Sequence, residues 1–183
     1  MKLIIFACVL PIIVSECAII YNSNNKNRLL DLKWVLLRRN LCFQARNDLP
    51  GFVPVYESGW LVATKLVYVS GSLKCWSSAQ GSNFGCTDDH TKFSVYVCDG
   101  KKQTIFPSPN QALTYDGTKS YQYPGFTAND NEVIFTEFSY PAYIREGQHI
   151  TIWSGEDLYN SNEGDNSGMV CVDVFGSFAN SLN

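Results

Sequence analysis

Charged residues are scarce in this 183-residue chain, at 17%, and no cationic excess exists: 14 Lys and Arg stand against 17 Asp and Glu. Nucleic acids and anionic lipid surfaces select for Lys and Arg, so neither is expected as the main partner. No Gly-x-Ser-x-Gly occurs, which removes the serine-hydrolase elbow. Glycine patterns that cradle phosphate are absent too. No Cys-x-x-Cys occurs, which excludes the common zinc spacings. No Asn-x-Ser/Thr acceptor is present, and Asn40-Leu41-Cys42 is at most a rare variant of one. Histidine is limited to His90 and His149. The one local cluster of catalytic type, Asp88-Asp89-His90, reads better as a turn after Cys86. Carboxylates are numerous, but nothing in their spacing argues a cleft. The chain is therefore read as a protein that is not an enzyme.

Only the N-terminus carries a long apolar run. Met1 and Lys2 give a positive start, Leu3 to Val14 is apolar except for Pro11, and Ser15-Glu16-Cys17 puts small residues at the −3 and −1 positions. That is the layout of a signal peptide over 1–17, cut before Ala18. A membrane span needs about 20 apolar residues, more than this run supplies. The expectation is a secreted, extracellular protein with no transmembrane segment.

Aromatic content is high at 14%, with ten Tyr and eleven Phe, which suits pleated sheet surfaces. From Trp60 onward the pattern is β. Strands are expected over 60–70, 93–99, 103–106, 132–138, 149–154 and 169–178. Alternation is clearest where Val170, Val172 and Val174 share a face, and where Phe93, Val95 and Val97 do. Turn residues such as Asp99-Gly100, Asp116-Gly117 and Pro124-Gly125 punctuate the gaps. Short strands at this spacing predict an all-β, jelly-roll-like antiparallel β-sandwich in one domain over 59–183. Residues 18–58 form an N-terminal segment of different character. Tyr21 to Asn27 is rich in Asn, and Arg28 to Arg39 is basic and apolar with a helix-compatible pattern. Two readings stay open: a helix or strand packed on the domain, or a propeptide ending at Arg38-Arg39. Cleavage there would remove five cations and one anion and move the formal charge from −3 to −7.

Five of seven cysteines remain after a signal-peptide cut. In an oxidising compartment they can pair. Cys75 and Cys86 flank one loop and are the first expected bridge. Cys98 and Cys171 lie in strand-like runs and are a second expected bridge, which leaves Cys42 free, available to another chain, or able to replace one member of that second pair.

The richest stretch runs from Ile150 to Val174. Between two strands, a loop holds Glu156, Asp157, Asn160, Asn162, Glu163, Asp165 and Asn166. Like charges so close repel unless a cation or solvent separates them. Carboxylates, amides and backbone carbonyls without His or Cys are the donor set that calcium takes. The plainer reading is a solvated acidic hairpin loop. It is not an EF-hand, since position twelve of the nearest frame is Val174 and strand follows.

The segment resembles the C-terminal calcium loop of the bacterial calcium-dependent galactophilic lectins, which are small jelly rolls. Asp157 matches that loop's first Asp, and Asp165-Asn166-Ser167-Gly168 matches its closing element. Asn162 matches the position that donates a backbone carbonyl. The strand–Gly-Glu-Asp–loop–Asp-Asn-x-Gly–strand pattern also resembles galactose-binding-like domains of uncharacterised secreted invertebrate proteins. The loop here is one residue longer, and Asp165 replaces an amide. The resemblance implies a calcium ion held by Asp157, Asn162, Asp165 and Asn166, and two sugar hydroxyls held by the ion. Tyr159 would stack on a sugar face, with Glu156 beside it. The expected function is calcium-assisted binding of extracellular glycans or glycoproteins, with several copies, as in a homo-oligomer, to make weak sites useful. The alternative is a matrix protein whose calcium loop is only structural.

Overall fold

The computed structural model describes residues 33–117 and 119–179. The signal-peptide reading of 1–17, and most of the basic stretch before Trp34, fall outside the described residues. The strands are β1 (Trp34–Gln44), β2 (Gly51–Pro54), β3 (Gly59–Lys74), β4 (Lys92–Phe93), β5 (Val95–Asp99) and β6 (Thr104–Phe106). They continue as β7 (Tyr121–Gln122), β8 (Glu132–Thr136), β9 (Ala142–Ile144), β10 (His149–Ser154) and β11 (Ser167–Ala179). One helical turn, α1 (Gly155–Leu158), and a 3-10 turn, η1 (Glu163–Asp165), join β10 to β11.

The first sheet has the order β1-β11-β3-β8, with β9 also on β3, and the second has β2-β10-β5-β6. Every pairing is antiparallel. This is the expected jelly-roll-like sandwich. In the second sheet, register puts Val53, Ile150, Ile152, Val95 and Val97 on one face. Phe52, Thr151, Trp153, Tyr96 and Cys98 share the other. Phe52 is exposed, so its face is the outer one. The inner face meets Val170, Val172 and Val174 of β11 and Val133 and Phe135 of β8 in one apolar core. Alternation along β11 therefore reports burial against the second sheet. Tyr96, Cys98, Thr151 and Trp153 are nevertheless buried on the outer face. Tyr121 and Tyr159 pack edge-on against Tyr96 at 5.3 and 5.5 Å, and the Lys102 ammonium lies 4.3 Å over Trp153.

The sandwich begins well before residue 59. Trp34 opens β1, so the second half of the helix-compatible stretch is strand. Tertiary pairing with β11 outweighs local preference here. The register slips between Arg38 and Leu41, where Asn40 takes a left-handed conformation and donates its N–H to Asp173 Oδ1 at 2.8 Å. A cut after Arg39 would divide this strand.

Cys75 and Cys86 are bridged as expected. The second expected bridge is overturned: Cys171 pairs with Cys42, and Cys98 is a buried free thiol. The reason is register. Cys42 lies directly opposite Cys171 on β1, whereas Cys98 belongs to the outer face of the other sheet. Burial pushes the Cys98 thiol up to about 12, which leaves it unreactive as a nucleophile.

In the chain-entropy view the Cys42–Cys171 closure, 129 residues apart in sequence, removes more unfolded-state freedom than the 11-residue Cys75–Cys86 closure. The contributions are about 5 and about 3 kcal/mol. Chemical denaturation of the Cys42→Ser/Cys171→Ser pair should show the larger loss. Mass mapping should find Cys98 alkylated only after unfolding; rapid labelling of the native protein would contradict its burial.

Candidate functional site

The end of β10 turns directly into the candidate loop. Gly155 makes this turn possible, since a Cβ there would come within 2.8 Å of the Tyr96 ring and 3.0 Å of Ser94 Oγ. Its N–H donates to the Ser94 carbonyl at 2.6 Å and the Ser94 hydroxyl at 3.2 Å. The next two residues, Glu156 and Asp157, are thereby carried inward and are 2% and 1% exposed. At the far end of the loop Asn166 is fully buried. Gly168 then lets β11 pass close to β3. It has φ +96°, and a Cβ would lie 2.1 Å from the Ser72 carbonyl oxygen. The Gly of the motif's Ser-Gly is thus a packing requirement.

Four side-chain oxygens in this loop are buried without a hydrogen-bond partner: Ser154 Oγ, Glu156 Oε2, Asp157 Oδ2 and Asn166 Oδ1. Their other atoms are engaged or adjacent to one another. Asp157 Oδ1 accepts the Asp48 N–H at 2.8 Å, and Asn166 Nδ2 donates to the Ala45 carbonyl at 3.1 Å. Burial raises the pKa of Glu156, and the Asn166 amide and the Asp165 charge also act on it. Burial likewise pushes Asp157 up to about 6, with the neighbouring Glu163 carboxyl adding to the rise. Orphaned buried oxygens of this kind each cost about 1–3 kcal/mol unless something meets them. A hard cation with oxygen ligands is one group that could meet such oxygens. Among the described residues no three His, Cys, Asp or Glu side chains converge tightly enough to hold a metal alone. A cation here would have to draw on the Asn166 amide and backbone carbonyls.

Of the four expected metal ligands, Asp157 and Asn166 point inward, while Asn162 and Asp165 are exposed. Asn162 takes the left-handed conformation, at φ 56°. Glu156, expected beside the ligand, is buried beneath the loop. Tyr159 stands at the rim, 45% exposed, with the Lys119 ammonium 5.6 Å over its ring. Trp153 is core, held by its indole N–H donating to Thr151 Oγ1 at 2.9 Å. The aspartates before His90 cap local turns: Asp88 accepts the Gln80 N–H and Asp89 accepts from Thr91.

Sequence reasoning missed the β1–β2 loop. Besides Asp48 and Ala45, it sends Arg46 Nη1 to the Gly164 carbonyl at 3.2 Å and the Asn47 N–H to Glu163 Oε2 at 3.4 Å. Asn47 and Asp48 both hold positive φ. These residue types tolerate that conformation, so Asn47-Asp48 was the available signal for a tight turn. Lys102 Nζ bridges this loop to the β5–β6 hairpin through Asp48 Oδ1 at 2.7 Å. Tyr115, 46% exposed beside Tyr121, adds a second aromatic ring that sequence reasoning did not single out.

The raised pKa of Asp157 has a pH consequence. Burial, with the neighbouring Glu163 carboxyl, pushes folded Asp157 up to about 6 from the ordinary 3.8. Its protonated form therefore stabilises the fold fully below about pH 4, and this contribution is lost as pH rises through 6. In chelator, Asp157→Asn should raise stability at pH 7 by about 2 kcal/mol and flatten this part of the profile. Asn can still accept the Asp48 N–H. Equal thermal unfolding curves for variant and parent between pH 4 and 7 would contradict the burial of this carboxyl.

No protein-family model matches the chain, and no curated protein matches it. Among solved structures it is similar to AJLec from the sea anemone Anthopleura japonica. The two share 32% identity over 80% of this chain and 98% of AJLec, with a TM-score of 0.72. The likeness thus takes in nearly all of AJLec, and the part of this chain that it spans is close in size to the described sandwich. Among the described residues no helix is long and apolar enough to cross a membrane. On this identity and coverage, the chain belongs to the family of AJLec, with a lectin-like jelly-roll domain.

Proposed function

We propose that this protein is a secreted carbohydrate-binding protein whose 154–168 loop takes up calcium to hold its sugar. Membership of the AJLec family supports the lectin-like part of this reading. The calcium part rests on one observation: the buried, partnerless oxygens of Glu156, Asp157 and Asn166 in a single loop. Asp157 and Asn166 would supply side-chain oxygens from within. Asp165 would supply a carboxylate and Asn162 a backbone carbonyl from the exposed side. Bound calcium would offer its open positions to two neighbouring sugar hydroxyls. The loop's own work is to arrange those oxygens. The Asp48 N–H holds one oxygen of Asp157, and the Ala45 carbonyl fixes the Asn166 amide so that its oxygen faces inward. Glu156, too buried to reach a sugar, would add negative charge beneath the ion. Tyr159, braced edge-on by Tyr96, would cover the apolar face of the sugar. Partners would be extracellular glycans or glycoproteins. A single weak site gains from repetition, so a homo-oligomer fits this use.

The second reading, a matrix protein with a stiffening calcium loop, shares the metal and lacks the sugar. A glycan array in calcium, repeated with chelator, separates them. Binding should be present in calcium and lost on chelation. A well-folded protein that binds calcium and no glycan would favour the matrix reading.

Calcium at 100 times its dissociation constant should stabilise the protein by about 2.7 kcal/mol, a rise of roughly 5–10 °C in Tm for a domain of this size. Asp165→Ala should reduce that rise to near zero. A full shift in the variant would take this carboxylate out of the site.

A further inference from the structure

A groove of about 560 Å³ opens at the opposite end of β10 from the candidate loop. His149 lines it, whereas the loop leaves β10 after Ser154. Five residue steps along a strand put about 17 Å between the two ends. The walls come from the β5–β6 hairpin, the loop after β6, and the segments on either side of β9.

Two tyrosines define this groove. Tyr140 is 74% exposed and Tyr143 is 47% exposed, and both line it. Their surroundings are built to hold them there. The Glu137 carboxylate accepts the hydroxyl of Ser108 and the N–H groups of Ser139 and Tyr140, the last two at 2.8 and 3.0 Å. The loop after β6 and the loop that carries Tyr140 are thereby clamped together. Tyr143 packs on Trp60 with ring centroids 5.0 Å apart. Gln148 accepts the Arg145 N–H at 2.8 Å and shapes the turn below. Exposed rings on pinned loops lose little freedom when a ligand lands on them.

The polar character of the walls selects the ligand. Both Glu137 oxygens are occupied, and Asp99 Oδ1 takes the N–H groups of Lys101 and Gln103 at 2.8 and 2.9 Å. Much of what lines the groove is neutral: the amides of Gln103, Asn110 and Gln148 and the tyrosine hydroxyls. His149 packs at the rim against Gly100, where a Cβ would meet its ring at 3.0 Å. Neutral hydrogen-bonding groups beside flat aromatic faces suit a ligand with many hydroxyls and apolar C–H faces. Glu137 is fully engaged, Asp99 has one oxygen engaged, and Lys101 adds a single lysine to the lining, so the groove offers little net charge to a strongly charged ligand.

We propose that this groove is a second saccharide site, independent of calcium, which takes a neutral oligosaccharide across Tyr140 and Tyr143. It is separate from the 154–168 loop and does not depend on that loop's function. With both sites in use, one chain could bridge two glycans without oligomerising.

The test is an amide chemical-shift titration of the whole secreted protein in chelator, with lactose, maltotriose and chitotriose as probes. At least one probe should shift the resonances of Tyr140, Tyr143 and their neighbours. Tyr140→Ala/Tyr143→Ala should weaken that binding tenfold or more, and Asp157→Asn should leave it unchanged. Should the double variant unfold, Tyr140→Ala alone, whose ring is largely in solvent, should still weaken it at least threefold. Shifts confined to 154–168, or none with any of the three probes in chelator, would overturn the proposal. The calcium-dependent array signal is read separately, so loss of one site does not decide the other.

Discussion

The placement of β11 between β1 and β3 is the constraint on which the other features rest. Its inward valines face the second sheet, its Cys171 is tied to Cys42 on β1, and its first residues pass β3 at backbone distance. That close passage requires Gly168, and across the ladder Gly71 is held in the same way by the Met169 carbonyl. Once β11 is anchored there, the chain between Ser154 and Ser167 has two fixed ends. It must turn within a short span over the edge of the sandwich. Glu156, Asp157 and Asn166 are buried because of that geometry, and not because their chemistry favours burial.

Carboxylates forced inward carry a cost that the fold only partly offsets. In the β1–β2 loop the Asp48 N–H answers one oxygen of Asp157 and the Ala45 carbonyl answers the Asn166 amide, while oxygens of Glu156, Asp157 and Asn166 stay open. The raised pKa values of Glu156 and Asp157 express the same strain in protonation. A loop destabilised when empty is a loop that gains most from an ion, which links the packing of the sandwich to its proposed use.

The second sheet connects this loop to the opposite groove. β10 runs from His149, at the groove, to Ser154, at the loop, and its outer face is covered by aromatic rings and Lys102. Two surfaces of different chemistry thus stand at the ends of one strand. The loop is anionic and oxygen-rich, while the groove is largely neutral and aromatic.

Much of the fold was legible in the residues. The period-two runs of Val95 and Val97, and of Val170, Val172 and Val174, marked core-facing strands, and the Cys75–Cys86 bridge followed from its short loop. The acidic loop was legible as a composition. Other features depended on contacts distant in sequence. The strand at Trp34–Gln44 carries an irregular pattern because it slips register twice against β11. The partner of Cys171 is set by that register, across 129 residues, and local spacing holds no trace of it. The β1–β2 loop joins the site from more than a hundred residues away. Which of the loop's oxygens are buried, and which tyrosines are held exposed at the groove, was likewise decided only by tertiary packing. Local sequence specifies periodicity and turn chemistry, because those act between near neighbours. Burial and polar pairing are properties of surfaces that meet only when the sheets close.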